Sequence, residues 1–172
     1  DRVEGLASGP QMLGRDLERR PGSPRAEGSL EGRSGVRESS AVALRDLARA
    51  DGDLVLAEEN VYGCTFRIFA QVFEKFGLEV RYVDFANAAN HDTILQAKPA
   101  LVWLESPTNP MLKILDLEAI SARGRKVGSP VLVDNTFASP YFQRPLELGA
   151  TLSLSSTTKY VNGHSDCLGG VV

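Results

Sequence analysis

Asp134 is the first residue of this sequence whose position suggests chemistry. It follows the apolar run Val131-Leu132-Val133 directly, so its carboxylate is expected in a low-dielectric place where an unpaired charge is costly. Such a group would either take up a proton or find a cationic partner. The alternative is an ordinary turn aspartate that is satisfied by the backbone N–H groups of Asn135 or Thr136.

Lys159 is the second such residue, and it lies in the hydroxyl-rich stretch SSTTKY, residues 155–160. Hydroxyl groups and successive backbone N–H groups can cradle a phosphate, and the lysine amine would lie beside it. The glycine patterns GxxxxGK[ST] and GxGxxG are both absent, so this is not one of the common nucleotide-binding loops. A single lysine in a polar loop is more commonly a solvated surface residue.

The coincidence of the two residues favours a specific cofactor. A nucleophilic amine, a phosphate anchor and a buried carboxylate one βαβ unit earlier are what a pyridoxal phosphate site needs. Tyr62 precedes a predicted helix and could cover one face of a flat ring and shuttle protons, or it could be an amphipathic surface tyrosine. A simple phosphate-binding α/β module is the alternative without this cofactor.

The sequence predicts no metal site. His91 and His164 are far apart and lack a partner four residues away. We expect His164, between two small residues, to form a hydrogen bond within a loop. Trp103 alternates with apolar neighbours and is expected in the core.

Short apolar runs alternate with helical patterns from residue 39 onward, which predicts βαβ units and an α/β fold with a mostly parallel sheet covered on both faces. Strands are predicted at 53–58, 78–83, 100–104, 130–133 and 151–154. Helices are predicted at 41–50, 64–76, 91–97 and 116–126, with a helical turn at 146–148. The 64–76 helix is expected to bury a stripe formed by Phe66, Phe69, Val72, Phe73 and Phe76 and to end at Gly77.

This layout predicts where a ligand would bind. Ligands of open α/β sheets lie beyond the carboxyl ends of the strands. In this sequence those ends carry Tyr62, Asp84, 105–109, Asp134 and 155–159.

Composition excludes several classes of function. A net charge of −3 gives no basic face for nucleic acid. No run reaches the eighteen or more apolar residues of a membrane span, and the polar start is not a signal peptide, so we expect a cytoplasmic protein. Cys64 and Cys167 are too few for a disulfide framework and are expected to be reduced.

Four segments in order resemble the pyridoxal-phosphate-dependent enzymes of cysteine and methionine metabolism, the trans-sulfuration family. They are VYGCTF (61–66), LVWLESPTNP (101–110), VDNTFASPYFQRPLELGA (133–150) and SSTTKYVNGHSD (155–166). The resemblance implies a three-layer fold-type I large domain over 41–172 and a cofactor, pyridoxal 5′-phosphate. The implied activity is carbon–sulfur bond chemistry of the cystathionine γ-lyase type, with methionine γ-lyase and cystathionine γ-synthase as alternatives.

The resemblance also implies roles for the residues that could react. Lys159 would link covalently to the cofactor and then move protons between substrate carbons. Asp134 would pair with the pyridinium nitrogen. Tyr62 would stack on the ring and assist deprotonation of the amine or departure of the leaving group.

Four further residues are implied to hold the cofactor. Ser156 and Thr158 would bind its phosphate, and Asn109 and Thr136 would lie against it. The implied partners are a sulfur-containing amino acid as substrate and, for the full-length parent, further copies of the chain in a homotetramer.

The sequence departs from the family pattern at both ends. The first forty residues contain no aromatic residue and are expected to order poorly. They hold no recognisable counterpart of the Tyr-x-Arg pair that members of the family contribute to the phosphate site of a neighbouring subunit. Residues 34–36 are the single candidate for the phosphate-binding turn of the family. The chain begins without methionine and ends on Gly169-Gly170-Val171-Val172, so we expect a piece of a longer protein without its C-terminal small domain. A catalytically inactive fragment, acting at most as an interaction module, is therefore the alternative function.

Overall fold

The computed structural model describes residues 52–172, all within one compact unit, Gly35–Val172. The predicted helix at 41–50 and the predicted boundary at residue 40 lie outside the described residues.

Six strands form one sheet in the order β2-β1-β3-β4-β5-β6. They are β1 Leu54–Glu58, β2 Glu79–Val83, β3 Leu101–Glu105, β4 Val131–Asp134, β5 Leu152–Ser156 and β6 Gly170–Val171. The first five pair in parallel, and β6 runs antiparallel to β5. The mostly parallel sheet is therefore confirmed. The short β6 was not predicted, because a two-residue strand carries no alternation that a pattern could detect.

The predicted helices at 91–97 and 116–126 are found to within two residues, whereas the helix at Ser139–Phe142 was not predicted and the predicted helical turn at 146–148 is a non-helical turn. The helices are α1 Gly63–Gln71, α2 Thr93–Ala97, α3 Leu117–Val127 and α4 Ser139–Phe142, with 3-10 turns at Phe73–Phe76 and Ala88–Asn90 and a π-type turn at Thr157–Val161. Asp116 caps α3 by accepting a hydrogen bond from the Ala119 N–H at 2.9 Å, and the left-handed Gly128 ends it. Within residues 52–172 no helix has the length and apolar character needed to cross a membrane.

One predicted helix needs correction. The segment 64–76 is not a single helix with a buried stripe, because α1 ends at Gln71 and a separate 3-10 turn runs to Phe76. Phe69 is buried, whereas Phe66 and Phe76 are 47% and 64% exposed. The apolar periodicity recorded the character of the side chains, but a helix of nine residues brings only a narrow part of its surface against the sheet.

Helices cover both faces of the sheet, which confirms the three layers. On one face α1 contributes Phe69, whose ring meets the buried Trp103 edge-on at 5.5 Å between centroids. On the other face Ile94 of α2 and Ile120 of α3 pack against the alternate residues of the same strands. The face with Trp103, which we call the α1 face, also carries Leu132 and Leu154.

Gly124 lets α3 approach the sheet closely. A Cβ atom there would lie 2.6 Å from Val131 Cγ2 and 2.8 Å from the Ser129 carbonyl oxygen. We expect Gly124→Ala to lower the free energy of unfolding by about 1–3 kcal/mol, because the overpacking outweighs the better helix propensity of alanine. Chemical denaturation measures the change.

The matched control is Gly63→Ala at the start of α1, where a Cβ atom would meet nothing within 4 Å. It should leave stability nearly unchanged. A Gly124→Ala protein as stable as the unsubstituted one would contradict the close approach of α3.

Candidate active site

The carboxyl ends of β3, β4 and β5 open into a cavity of about 700 Å³. Along each strand the side chains alternate between faces, so the last residues Glu105, Asp134 and Ser156 fall on the α1 face with Trp103, Leu132 and Leu154 before them. The cavity lining includes six of the seven predicted site residues, namely Tyr62, Asn109, Asp134, Thr136, Ser156 and Lys159.

Asp134 is 9% exposed. One of its oxygens behaves as that of a turn aspartate, and the other as that of a buried carboxylate that needs a partner. Its Oδ1 accepts hydrogen bonds from the Thr136 N–H at 3.0 Å and the Thr136 hydroxyl at 2.5 Å, as expected of a turn aspartate. No hydrogen bond from residues 52–172 reaches Oδ2. Burial raises the pKa of Asp134 in spite of the Thr136 bonds. One oxygen at the cavity wall is therefore available to a cationic ligand group.

Thr136 joins the ends of two strands. Its hydroxyl donates to Asp134 and accepts from the backbone N–H of Ser156 at 2.9 Å. The hydroxyl proton is thus committed to Asp134, and Thr136 fixes that carboxylate relative to the end of β5. The Ser156 side chain lines the cavity, and no hydrogen bond between its hydroxyl and the described residues occupies it.

Lys159 lies in the turn that follows β5. Its backbone interrupts the π-type turn with φ −92° and ψ −121°. Its side chain is exposed and lines the cavity, and within the described part of the chain Nζ has neither a hydrogen bond nor an ion pair. The amine is available to a ligand in this cavity.

Thr158 is the predicted site residue that does not line this cavity. Its hydroxyl accepts from the Gly169 N–H at 2.9 Å and lies 3.3 Å from the Gly169 carbonyl oxygen. It lines an adjacent cavity of about 610 Å³ that also includes Lys159. The structure gives Thr158 a bond that ties the lysine turn to the segment before β6, and its role as a phosphate ligand stays a prediction.

Tyr62 stands at the start of α1, is 46% exposed and lines the cavity. A hydrogen bond with the Cys64 thiol is the main cause that raises the pKa of the Tyr62 phenol. The same bond lowers the pKa of Cys64, helped by Arg67, whose Nη2 lies 3.0 Å from the sulfur. The phenol therefore remains protonated and is suited to donating a proton rather than to removing one.

Glu105 is a functional candidate to which the sequence interpretation gave no role. It is 5% exposed, lines the cavity and accepts a hydrogen bond from the Tyr62 N–H at 2.7 Å. Burial raises its pKa to about 8, and the nearby carboxylates of Asp134 and Glu58 contribute further. A signal was present, because Glu105 ends the apolar run ALVWL in the way that Asp134 ends VLV.

The histidines form hydrogen bonds with backbone carbonyl groups. His164 Nδ1 lies 2.7 Å from the Asn162 oxygen, as expected for a loop, and the buried His91 Nε2 lies 2.9 Å from the Phe85 oxygen. Away from the cavity, an oxygen of Glu59 and one of Asp84 each lie 3.1 Å from Lys113 Nζ, so these two carboxylates already form ion pairs with a lysine.

Comparison with known proteins adds independent findings. The family model for "Cys/Met metabolism PLP-dependent enzyme" matches residues 25–172, a range that begins before residue 41, where the sequence resemblance starts. The chain is 45% identical over 135 residues to a cystathionine gamma-lyase of Macaca fascicularis, covering 78% of this chain and 33% of the relative. It is 44% identical over 122 residues to an L-methionine gamma-lyase of Fusobacterium nucleatum, covering 70% and 31%.

A solved structure gives the same picture. The crystal structure of metB from Corynebacterium glutamicum superposes with a TM-score of 0.72 at 40% identity, over 76% of this chain and 34% of that one. The chain spans about a third of the length of the curated relatives it matches.

The ionisation of Glu105 predicts how stability depends on pH. Because its folded pKa of about 8 exceeds the ordinary value of 4.5, its contribution to the free energy of unfolding is complete below pH 4.5 and is lost as pH rises to 8. In Glu105→Gln the free energy of unfolding should fall by a few kcal/mol less between pH 4.5 and 8, since one pKa unit corresponds to about 1.4 kcal/mol. Denaturation curves between pH 4.5 and 8 measure it.

Some decline should remain in Glu105→Gln, because burial also raises the pKa values of Asp134 and Glu58. The control is Glu118→Gln on the exposed side of α3, which should leave the decline as it is. Equal curves for Glu105→Gln and the unsubstituted protein would refute the protonated state of Glu105.

Proposed function

Because the chain belongs to the Cys/Met metabolism family of PLP-dependent enzymes, we propose that it forms the cofactor-binding part of a carbon–sulfur lyase or transferase that acts on a sulfur-containing amino acid. The observation that carries the proposal is that an unpaired lysine amine and a buried carboxylate with one unused oxygen line the same cavity. Lys159 and Asp134 supply these two groups.

The residues at the cavity fit pyridoxal 5′-phosphate. The Asp134 side chain is buried and its Oδ2 has no hydrogen-bond partner among residues 52–172, so a protonated ring nitrogen would supply the missing positive charge. Ser156 offers a hydroxyl group for the phosphate, and Thr158 lies two residues further along the chain, at the adjacent cavity. Tyr62 and Asn109 line the cavity and would contact the ring from the α1 side and from the loop after β3.

When bound, the cofactor supplies a cationic ring that accepts the electron pair left at the substrate's α-carbon. Asp134 keeps the ring nitrogen protonated, and Thr136 holds that carboxylate in place. Lys159 Nζ takes the α-proton and carries it between substrate carbons. The protonated Tyr62 phenol donates to the departing sulfur atom, which agrees with the direction in which its pKa is shifted.

Among the members of the family, we favour a cystathionine γ-lyase type of reaction. The segments YFQRP (141–145) and NGHSD (162–166) support it or a cystathionine γ-synthase. Cys64, directly after Tyr62-Gly63, supports methionine γ-lyase instead. Product analysis with cystathionine and with methionine separates the two lyases, since cystathionine yields cysteine and methionine yields methanethiol.

An inactive chain that serves as an interaction module is the alternative that the sequence left open. Such a chain would develop no absorbance from bound cofactor. The homotetramer and the cytoplasmic location that the sequence suggested stay predictions.

The first test is covalent labelling of the lysine. We expect borohydride reduction of the purified protein with pyridoxal phosphate to label Lys159, because its amine is unpaired at the cavity, and peptide mapping locates the label. Lys159→Ala should lose it. Lys113→Ala, a lysine engaged with Glu59 and Asp84, is the control that should keep it. A label found on another lysine would overturn the site assignment.

The second test concerns the charge of Asp134. Asp134→Asn should weaken cofactor binding by about 10- to 100-fold, as expected when a charge-assisted hydrogen bond becomes neutral. Absorbance titration measures the dissociation constant. Asp116→Asn is the matched control, because asparagine also caps helices and α3 lies on the opposite face. Unchanged affinity in Asp134→Asn would remove Asp134 from the site.

A further inference from the structure

Glu105 is the buried ionisable group of the cavity that the proposed function leaves unused. It is the last residue of β3, pairs in register with Asp134 at the end of β4, and is 5% exposed. Neighbouring strands lie about 4.8 Å apart, so two carboxyl groups share the cavity wall side by side. Glu58 ends β1, but it lies on the opposite face and is bonded to the Phe85 and Asn60 N–H groups.

Glu105 makes one defining contact, with the backbone of Tyr62. Its Oε2 accepts from the Tyr62 N–H at 2.7 Å across 43 positions of sequence. Tyr62 precedes the first turn of α1, where the Phe66 N–H donates to its carbonyl oxygen at 3.0 Å, and no side chain caps this helix. The contact therefore ties the start of α1, and the ring that Tyr62 carries, to the central strand.

The exposure of the Tyr62 ring makes this backbone contact important. Because Tyr62 is 46% exposed, packing alone does not fix the place of its ring over the cavity. The position of its backbone must do so, and the hydrogen bond to Glu105 is a long-range bond that fixes it.

Charge decides the form in which Glu105 can act. Two neighbouring carboxylates in a buried site cannot both ionise at little cost. Asp134 receives two hydrogen bonds from Thr136, whereas Glu105 receives one. The ionisable groups that meet Glu105 are Asp134 from β4, Glu58 from β1, Tyr62 from the start of α1 and Lys159, which lines the same cavity. The negative charge thus falls to Asp134.

We propose that Glu105 is a positioning residue that holds Tyr62 over the cavity as an uncharged carboxylic acid and so leaves Asp134 as the anion of the site. The inference rests on the proposed function for the identity of the ligand. Its contact with Tyr62 can be tested without any ligand.

Three substitutions separate charge from geometry. Glu105→Gln is neutral and of equal length, so its amide oxygen can still accept from Tyr62. Glu105→Asp keeps the acid but is one methylene too short for the 2.7 Å contact, and Glu105→Ala removes the acceptor. Hydrogen exchange at the Tyr62 amide can be measured by NMR in the cofactor-free protein. It should stay as slow in Glu105→Gln as in the unsubstituted protein and become about tenfold faster in Glu105→Asp and Glu105→Ala.

Cofactor titration by absorbance gives the second readout. The dissociation constant of pyridoxal phosphate for Glu105→Gln should lie within about threefold of that for the unsubstituted protein. Glu105→Asp and Glu105→Ala should bind at least about tenfold more weakly. In a Tyr62→Ala background, Glu105→Ala should have little further effect, because a positioning residue acts through the group that it holds.

The outcomes are distinguishable. If Glu105→Gln binds the cofactor as weakly as Glu105→Ala, the charge of Glu105 is needed and the inference is wrong. If Glu105→Asp matches the unsubstituted protein in both amide exchange and cofactor binding, the contact with Tyr62 does no positioning and the inference is again wrong. If the unsubstituted protein binds no cofactor, the proposed function fails, while the exchange pattern still decides whether Glu105 holds Tyr62.

Discussion

The hydrogen bonds of Thr136 hold the site together. Its hydroxyl donates to Asp134 and accepts from the Ser156 N–H, so the ends of β4 and β5 are fixed by one side chain. The parallel arrangement brings these ends to the same edge, and the alternation of side chains places both on the α1 face. Removing a buried carboxylate from water is costly, and this bridge satisfies one oxygen and leaves the other for a ligand.

The two faces of the sheet serve different purposes. On the face covered by α2 and α3, β3 and β4 carry apolar residues as far as Leu104 and Val133, which belong to a conventional core. On the α1 face, Trp103 and Leu132 are followed directly by Glu105 and Asp134, so the apolar layer stops where the cavity begins. Among residues 52–172, the short α1 does not cover that end of the face, which leaves the carboxyl groups facing the cavity.

Much of this arrangement could be predicted from single segments. The apolar run Val131-Leu132-Val133 predicts a buried strand, and Asp134 after it is predicted to be a buried carboxyl group that needs a partner for its charge. The SSTTK turn predicts an amine beside hydroxyl groups. The direction in which each hydroxyl points could not be predicted, because it depends on partners far away in sequence. Thr158 turns to Gly169, and Thr136 reaches Ser156, through contacts that arise only when the strands assemble. The stripe from Phe66 to Phe76 failed for a related reason, since apolar periodicity does not say how much sheet surface a helix will meet.

Glu105 and Asp134 illustrate how the same chemical group acquires two roles. Both end a buried strand, both follow an apolar run and both face the cavity. They differ in the donors that the neighbouring chain supplies, because Thr136 gives Asp134 a hydroxyl and an N–H group while Glu105 has the Tyr62 N–H. Each hydrogen bond to a carboxylate lowers the free energy of its charged form, so the better-supplied group keeps the charge and the other keeps the proton. Burial raises the pKa of both groups, and two Thr136 bonds oppose that rise at Asp134 whereas one Tyr62 bond opposes it at Glu105. Local turn chemistry thereby sets which carboxyl can neutralise a cation and which can only hold a neighbour in place.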